Sequence, residues 1–323
     1  MKNKFPRREF LTTITAAAAT SLLPAATRLA ARPLLYPPTD LSHFNSPIPP
    51  ADSRIHFGYA AITWNGNDRQ AIDDISALGF PGIQLRSNCI EEFNNDPSVV
   101  RDLLAKHNLK FVALSSGGLS IDRPAADELA KHTAHAKFVH DAGGLYLQVT
   151  DDRPKDRAIT PNDQKKLGQL MTELGKRISD LGVSLGYHNH MGSLSEHPDE
   201  LDRILAATDP RYAKLELDVA HYYQGGGDPA KAIEKYHDRL LFLHIKDVDP
   251  TPAANGHGAF HFIELGRGKV DLPAVFAALH KVKFSGWAIV ELDEVAETNR
   301  TPKESGEINK KYLHDKLGIT IGA

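Results

Sequence analysis

Eight times between Ile55 and Gly318 a short apolar run gives way to a segment of helical periodicity. "IHFGYAAITW" precedes "AIDDISALG", "GIQLRS" precedes "DPSVVRDLLAKHN", "KFVALSSGG" precedes "ADELAKHTAHAKFVHDAG", and "LYLQVT" precedes "DQKKLGQLMTELGKRISDLG". The rhythm continues with "VSLGYHNH" before "HPDELDRILAAT", "AKLELDVAH" before "DPAKAIEKYH", "LLFLHIKD" before "LPAVFAALHKV", and "GWAIVELD" before "TPKESGEINKKYLHDKLG". Strands that alternate with helices run parallel, and eight such units are the number that closes a (β/α)8 barrel. The competing arrangement is an open doubly wound sheet. That fold wants a glycine-rich turn after its first strand, and "TWNGN" is not a dinucleotide fingerprint. The expectation is a single α/β domain, a (β/α)8 barrel over residues 55–323.

The chain of 323 residues is ample for one such core. Ahead of it, "RREFLTT" (Arg7 to Thr13) leads into the Ala-rich "ITAAAATSLLPAA", which ends among small residues. This order predicts a signal peptide over residues 1–31, cleaved between Ala25 and Arg32. Its apolar run is too short and too weakly hydrophobic to span a membrane, so no stable membrane insertion is expected after cleavage. Arg7 and Arg8 with Phe10 and Leu11 resemble a twin-arginine signal; the other reading is an ordinary secretory signal with two basic residues. Either way the location is periplasmic or otherwise extracytoplasmic. Residues 32–54 carry six prolines and no apolar period, and read as an extended tether. The balance of 41 acidic against 38 basic residues, net -3, disfavours a nucleic-acid partner. A lone cysteine, Cys89, excludes an intrachain disulfide framework and a Cys-based zinc site. No feature of the chain points to an oligomeric state.

Barrel chemistry sits at the C-terminal ends of the strands. The fifth run ends in His188 and His190, the sixth delivers Glu216, Asp218 and His221, the seventh His244, Lys246 and Asp247, and the eighth Glu291 and Asp293. A pair of histidines alone is usually satisfied by neighbours. Imidazole and carboxylate arriving from four consecutive strands instead suit a divalent cation such as Mn, Zn, Co, Fe or Mg, which the ligand types do not distinguish. The other reading of these carboxylates is an ion-pair network with Lys246, Arg267 and Lys269. "GRGKVD" (Gly266 to Asp271) lacks P-loop spacing and reads either as a turn or as a substrate contact. Trp64, Tyr222 and Tyr223 stand where aromatic rings can stack on a sugar or simply pack.

With "YHNH", "LELDVAH", "LHIKD", "LGRGKVDL" and "IVELD" in this order, the chain resembles the xylose-isomerase-like TIM-barrel proteins, which include sugar phosphate isomerases, epimerases and inosose dehydratases. The resemblance spans roughly residues 55–318. It implies that Asp218, His244 and Glu291 are metal ligands, that His221 contacts substrate, and that Arg267 or Lys269 touches it; Glu216 and Trp64 are further candidates for substrate contact. One position departs from the pattern. Many relatives place a glutamate, both ligand and acid/base, where this chain has His188. An imidazole can ligate in its place, but the paired glutamates of a two-base epimerase are broken.

The leading expectation is a metal-dependent isomerase or epimerase that takes a proton next to a carbonyl of a sugar or cyclic polyol and passes through an enediolate. Glu291 is the expected base, His190 the second proton-transfer group, Lys246 an electrostatic assistant and His188 a ligand; the reverse division between His188 and His190 satisfies the same spacing. Loss of a β-hydroxyl or glycosyl group from the same intermediate makes the alternative, a lyase. An exported sugar-binding barrel without turnover is a further alternative. Cleavage at abasic DNA sites, known in an endonuclease branch of the family, runs against the net charge and the export signal.

Overall fold

The computed structural model describes residues 54–252, 259–295, 297 and 299–322. The signal peptide and all but the last residue of the tether lie outside the described residues. From Ile55 the chain runs β1 (Ile55–Ala60), α1 (Asp68–Leu78), β2 (Gly82–Arg86), α2 (Asn88–Glu92), α3 (Pro97–Lys106), β3 (Lys110–Ser120) and α4 (Ala125–Asp141). It continues through β4 (Tyr146–Asp152), α5 (Pro161–Ser179), β5 (Ser184–His188), α6 (Pro198–Ala206), β6 (Ala213–Asp218), α7 (Val219–Gln224) and α8 (Pro229–Tyr236). The last third holds β7 (Leu240–Ile245), β8 (Asp247–Asp249), β9 (His261–Ile263), α9 (Leu272–Lys281), β10 (Gly286–Val290) and α10 (Pro302–Leu317).

Eight of the strands close into a parallel barrel in the order β1-β10-β7-β6-β5-β4-β3-β2, as the alternation predicts. The other two, β8 and β9, form a short antiparallel hairpin between β7 and α9, with Asp247 opposite Ile263. Helix starts follow from local chemistry. Asp96-Pro97, Thr160-Pro161, His197-Pro198, Asp228-Pro229 and Thr301-Pro302 each place a cap residue before a proline at the first helical position. There the missing N–H costs nothing and φ is already helical.

Alternation along the strands sorts side chains into two sets. Leu85, Leu114, Val149, Tyr187, Leu217 and Ile245 pack outward in the large cluster beneath the helices. Inside the barrel a plug of Phe242, Ile289, Val112 and Ala113, with Tyr146 stacked on Phe242 at 5.2 Å between ring centres, closes the lower half. Above that plug the inward positions turn polar.

Three strands end earlier than their apolar runs suggest. β1 stops at Ala60, and Ala61–Trp64 form a 3-10 turn. β5 stops at His188, which leaves His190 in the turn that follows. β6 stops at Asp218, whose carboxylate caps α7 by accepting from the backbone N–H of Ala220 and His221, both at 2.8 Å. "VAH" is therefore helical, and the tight turn carries His221 back over the barrel mouth.

The "GRGKVD" segment is a clasp around the buried carboxyl group of Asp247. Asp247 accepts backbone N–H bonds from Val248, Gly266, Gly268 and Val270 at 2.9 to 3.0 Å. A Cβ on Gly268 would lie 2.2 Å from the Asp247 carboxylate, and Gly266, at φ +77°, would drive one into the Tyr312 ring. Both glycines are thus required by the fold of this loop.

Candidate metal centre

Three overlapping groups of side chains at the barrel mouth have ligand atoms within 4.8 Å of one another: Asp218 with His244 and Glu291, His188 with Glu216 and His244, and His188 with His190 and His221. The first set draws on β6, β7 and the residue after β10. His244 lies at its centre, with Nδ1 3.2 Å from Glu291 Oε1 and 3.6 Å from Asp218 Oδ2. On the other side of the ring Nε2 is 2.9 Å from Gln84 Oε1, an arrangement that makes Nε2 a donor and turns Nδ1 to the two carboxylates. Asp218 Oδ1 is taken up by the cap of α7.

The remaining atoms test whether a cation fits. Asp218 Oδ2, His188 Nδ1 and His244 Nδ1 are buried without a hydrogen-bond partner. Single orphans of this kind cost on the order of 1–3 kcal/mol, more when charged. Three such atoms converging from adjacent strands beside Glu291 fit a divalent cation, with Asp218, His244, Glu291 and His188 as the residues that would hold it.

Glu216 lies one layer below, fully buried, its Oε1 2.7 Å from His244 Nε2 and 3.3 Å from His188 Nδ1. Burial opposes its ionisation, but the two imidazoles prevail and hold its pKa below the ordinary carboxylate value. The same contest is decided the same way at Asp218, chiefly by Lys246, and more strongly at Glu291, by His244 and Lys246. Burial would lower His244, yet Glu216 and Glu291 raise it well above the usual histidine value.

Lys246 Nζ is 3.0 Å from Glu291 Oε1, 2.5 Å from Asp293 Oδ1 and 3.8 Å from the centre of the Phe262 ring on β9. Burial notwithstanding, Asp293, Glu291 and Asp218 push its pKa up, so the ammonium is permanent. His190 is shaped oppositely: burial, then His188 and Lys246, lower its pKa. Its Nδ1 contacts Met191 O at 2.6 Å as donor, which leaves Nε2 a bare lone pair. His221, also held well below its ordinary value by burial and Lys246, stacks behind His190 at 3.8 Å between ring centres.

These groups border a cavity of about 210 Å³, lined on the metal side by His188, His190, His244, Glu291 and Asp293, and on the other by Gln84, Arg86, Ser115, Gln148 and Thr150. That is below the roughly 300–1,000 Å³ of drug-sized sites and suits one small ring. His188, His190, Asp218, His244, Lys246 and Glu291 lie together at the barrel mouth.

The five expected substrate contacts, Trp64, Glu216, Arg267, Lys269 and His221, are placed outside the cavity walls. Trp64 is in the core, its indole N–H donating to Asp74 at 2.9 Å and its ring against Tyr59. Glu216 supports the imidazoles from beneath. Arg267 pairs with Glu264 and Glu297, while Lys269 is exposed on the loop beyond Asp247. His221 backs His190 and is not among the cavity walls. Residues that strand-end polarity did not single out are Gln84, Ser115, Gln148 and Thr150. Their signal was a polar residue at an inward position of an otherwise apolar strand, legible only once register is known.

The sequence model of the family described as xylose isomerase-like TIM barrel matches residues 72–311. Among curated proteins, an inosose dehydratase of Lacticaseibacillus casei is 26% identical over 305 residues, covering 83% of this chain and 99% of that protein. Among solved structures, an IolI protein with a bound zinc atom superposes with a TM-score of 0.70 at 18% identity, covering 81% of this chain and 98% of the other. A probable 3-DHS dehydratase, AsbF of Bacillus anthracis, superposes with a TM-score of 0.67 at 13% identity over 81% and 99% of the two chains.

Proposed function

Because this chain belongs to the xylose isomerase-like TIM barrel family, we propose that it is a metal-assisted dehydratase, a lyase that removes water from a small hydroxylated cyclic ketone. The observation that carries this reading is the asymmetry of the cavity. An epimerase needs a base on each face of the carbon it inverts. Here Lys246 ion-pairs both carboxylates on one side, Glu291 and Asp293, which leaves His190, on the side of β5, as the free base. Elimination needs one base in the correct protonation state. The curated inosose dehydratase relatives support elimination over the isomerisation expected from sequence.

A divalent cation held by Asp218, His244, Glu291 and His188 would polarise the substrate carbonyl and make the adjacent C–H acidic. His190, neutral and with Nε2 open to the cavity, takes that proton; Glu291, ion-paired with Lys246, is the weaker base. The C–H electron pair becomes the new C=C bond as the β-hydroxyl departs. The imidazolium of His190 returns its proton to that oxygen, which leaves as water. Lys246 stabilises negative charge developing on the substrate oxygen from a buried position.

Product analysis across inososes, 3-keto sugars and open-chain ketoses tests the proposal. The expected result is an unsaturated or tautomerised product lighter by one water; a product that keeps all its oxygens refutes elimination, and binding without turnover of any ketone leaves a sugar-binding barrel.

A further inference from the structure

Resting on that reading, we propose that the substrate ring carries a carboxylate, bound by Arg86 on the cavity wall opposite the metal ligands. Arg86 is the last residue of β2, exposed and part of the cavity lining. In the closed order of the barrel β2 lies four strands from β6 in either direction, so Arg86 faces Asp218 across the mouth. The two sides differ in kind. Lys246 is used up by Glu291, Asp293 and Asp218, whereas among the described residues no hydrogen bond or ion pair engages the Arg86 guanidinium. The nearby Asp68 feels its charge but is bonded to Asn88 at 2.6 Å.

A second observation on the same wall points to a ligand. Gln148, on β4, is 2% exposed and lines the cavity, yet its Oε1 has no hydrogen-bond partner. An unpartnered amide oxygen on a residue of the cavity wall calls for a donor, such as a ring hydroxyl. One guanidinium matches one carboxylate through two parallel N–H bonds. A phosphate, with nearly two charges and three terminal oxygens, would want more cations than this wall provides. A carboxylate at the metal end would meet Glu291 and Asp293, so charge also fixes orientation: ketone toward His244, acid toward Arg86.

The test measures binding of two unreactive rings to the metal-loaded protein by calorimetry: quinate, a hydroxylated cyclohexane carboxylate, and myo-inositol, its neutral counterpart. Quinate is expected to bind at least about tenfold more tightly, and Arg86→Gln to reduce that preference by roughly 10- to 100-fold, with partial recovery in Arg86→Lys. Equal binding of the two rings, or a preference unchanged in Arg86→Gln, overturns the proposal. Because no turnover is required, quinate bound through Arg86 by a protein that dehydrates neither corresponding ketone supports the carboxylate site and refutes the dehydratase reading alone.

Discussion

His188 and His190 leave the same strand end two residues apart, and their nitrogens are used differently. His188 Nδ1 points down at Glu216 among the orphaned ligand atoms, while His190 gives Nδ1 to Met191 and turns Nε2 to the cavity. His188→Gln is therefore expected to weaken metal binding by at least about tenfold, as loss of an imidazole at a metal site does. His190→Gln is expected to keep its metal and lose on the order of 10²- to 10⁴-fold in turnover. Metal content and rate measured on both variants check the division; a His190→Gln protein without metal beside a metal-replete, slow His188→Gln protein reverses it. The contact between Asp293 and Lys246 was legible as charge at strand ends. That Gln84 sets the tautomer of His244 was not, since the two are 160 residues apart and meet only across the closed barrel.

Asp218 shows how an element can depend on a candidate ligand. Its Oδ1 caps α7, its backbone N–H donates to Asn189 Oδ1, and Asn189 Nδ2 donates back to its carbonyl. Substitution by alanine would remove the cap and the ligand together. Asp218→Asn separates them, because asparagine caps helices as well as aspartate does but supplies a neutral oxygen. The expected outcome is an unchanged melting temperature in chelator and strongly reduced metal content; a variant that retains full metal shows that Asp218 serves the helix alone.

Another element carries a pH dependence. His132 on α4 is fully buried with Nδ1 2.6 Å from Ser116 Oγ on β3, and Glu128, Lys131 and His135 are its charged or titratable neighbours. Burial, aided by Lys131, lowers its pKa to about 4. Below pH 6.5 the unfolded chain takes up a proton that the folded chain refuses until about pH 4, so stability falls through that window and levels below it. The fall from 6.5 to about 4 corresponds to ~3 kcal/mol. Urea midpoints at pH 7 and pH 4.5 should differ less in His132→Gln than in the native protein; equal differences contradict the assignment.

At the scale of the whole molecule, the (β/α)8 barrel was legible from alternation alone, because parallel strands buried on both faces leave continuous apolar runs between helices. The β8–β9 hairpin was not, since three-residue strands inside a loop leave no period to read. The inner lining was hidden for a related reason: residues such as Ala113 and Gln148 declare their side only when the bulged register of β3 is known. Export is proposed from the sequence, as residues 1–53 lie outside the described ones. Replacing Arg7 and Arg8 by lysine should strand the precursor in the cytoplasm, because a receptor reads the arginine pair and not merely its charge. Normal export of the double-lysine precursor indicates the ordinary secretory route.

The central claim couples a cation at Asp218, His244 and Glu291 to loss of water. Its most direct test titrates divalent metal into chelator-stripped protein while proton NMR in deuterated water follows 2-keto-myo-inositol or its carboxylate-bearing ring analogue. Dehydrated product should appear in proportion to bound metal, saturating at one ion per chain, and vanish on adding chelator. Turnover that is indifferent to metal, or deuterium entering a skeleton that keeps every hydroxyl, would contradict the account.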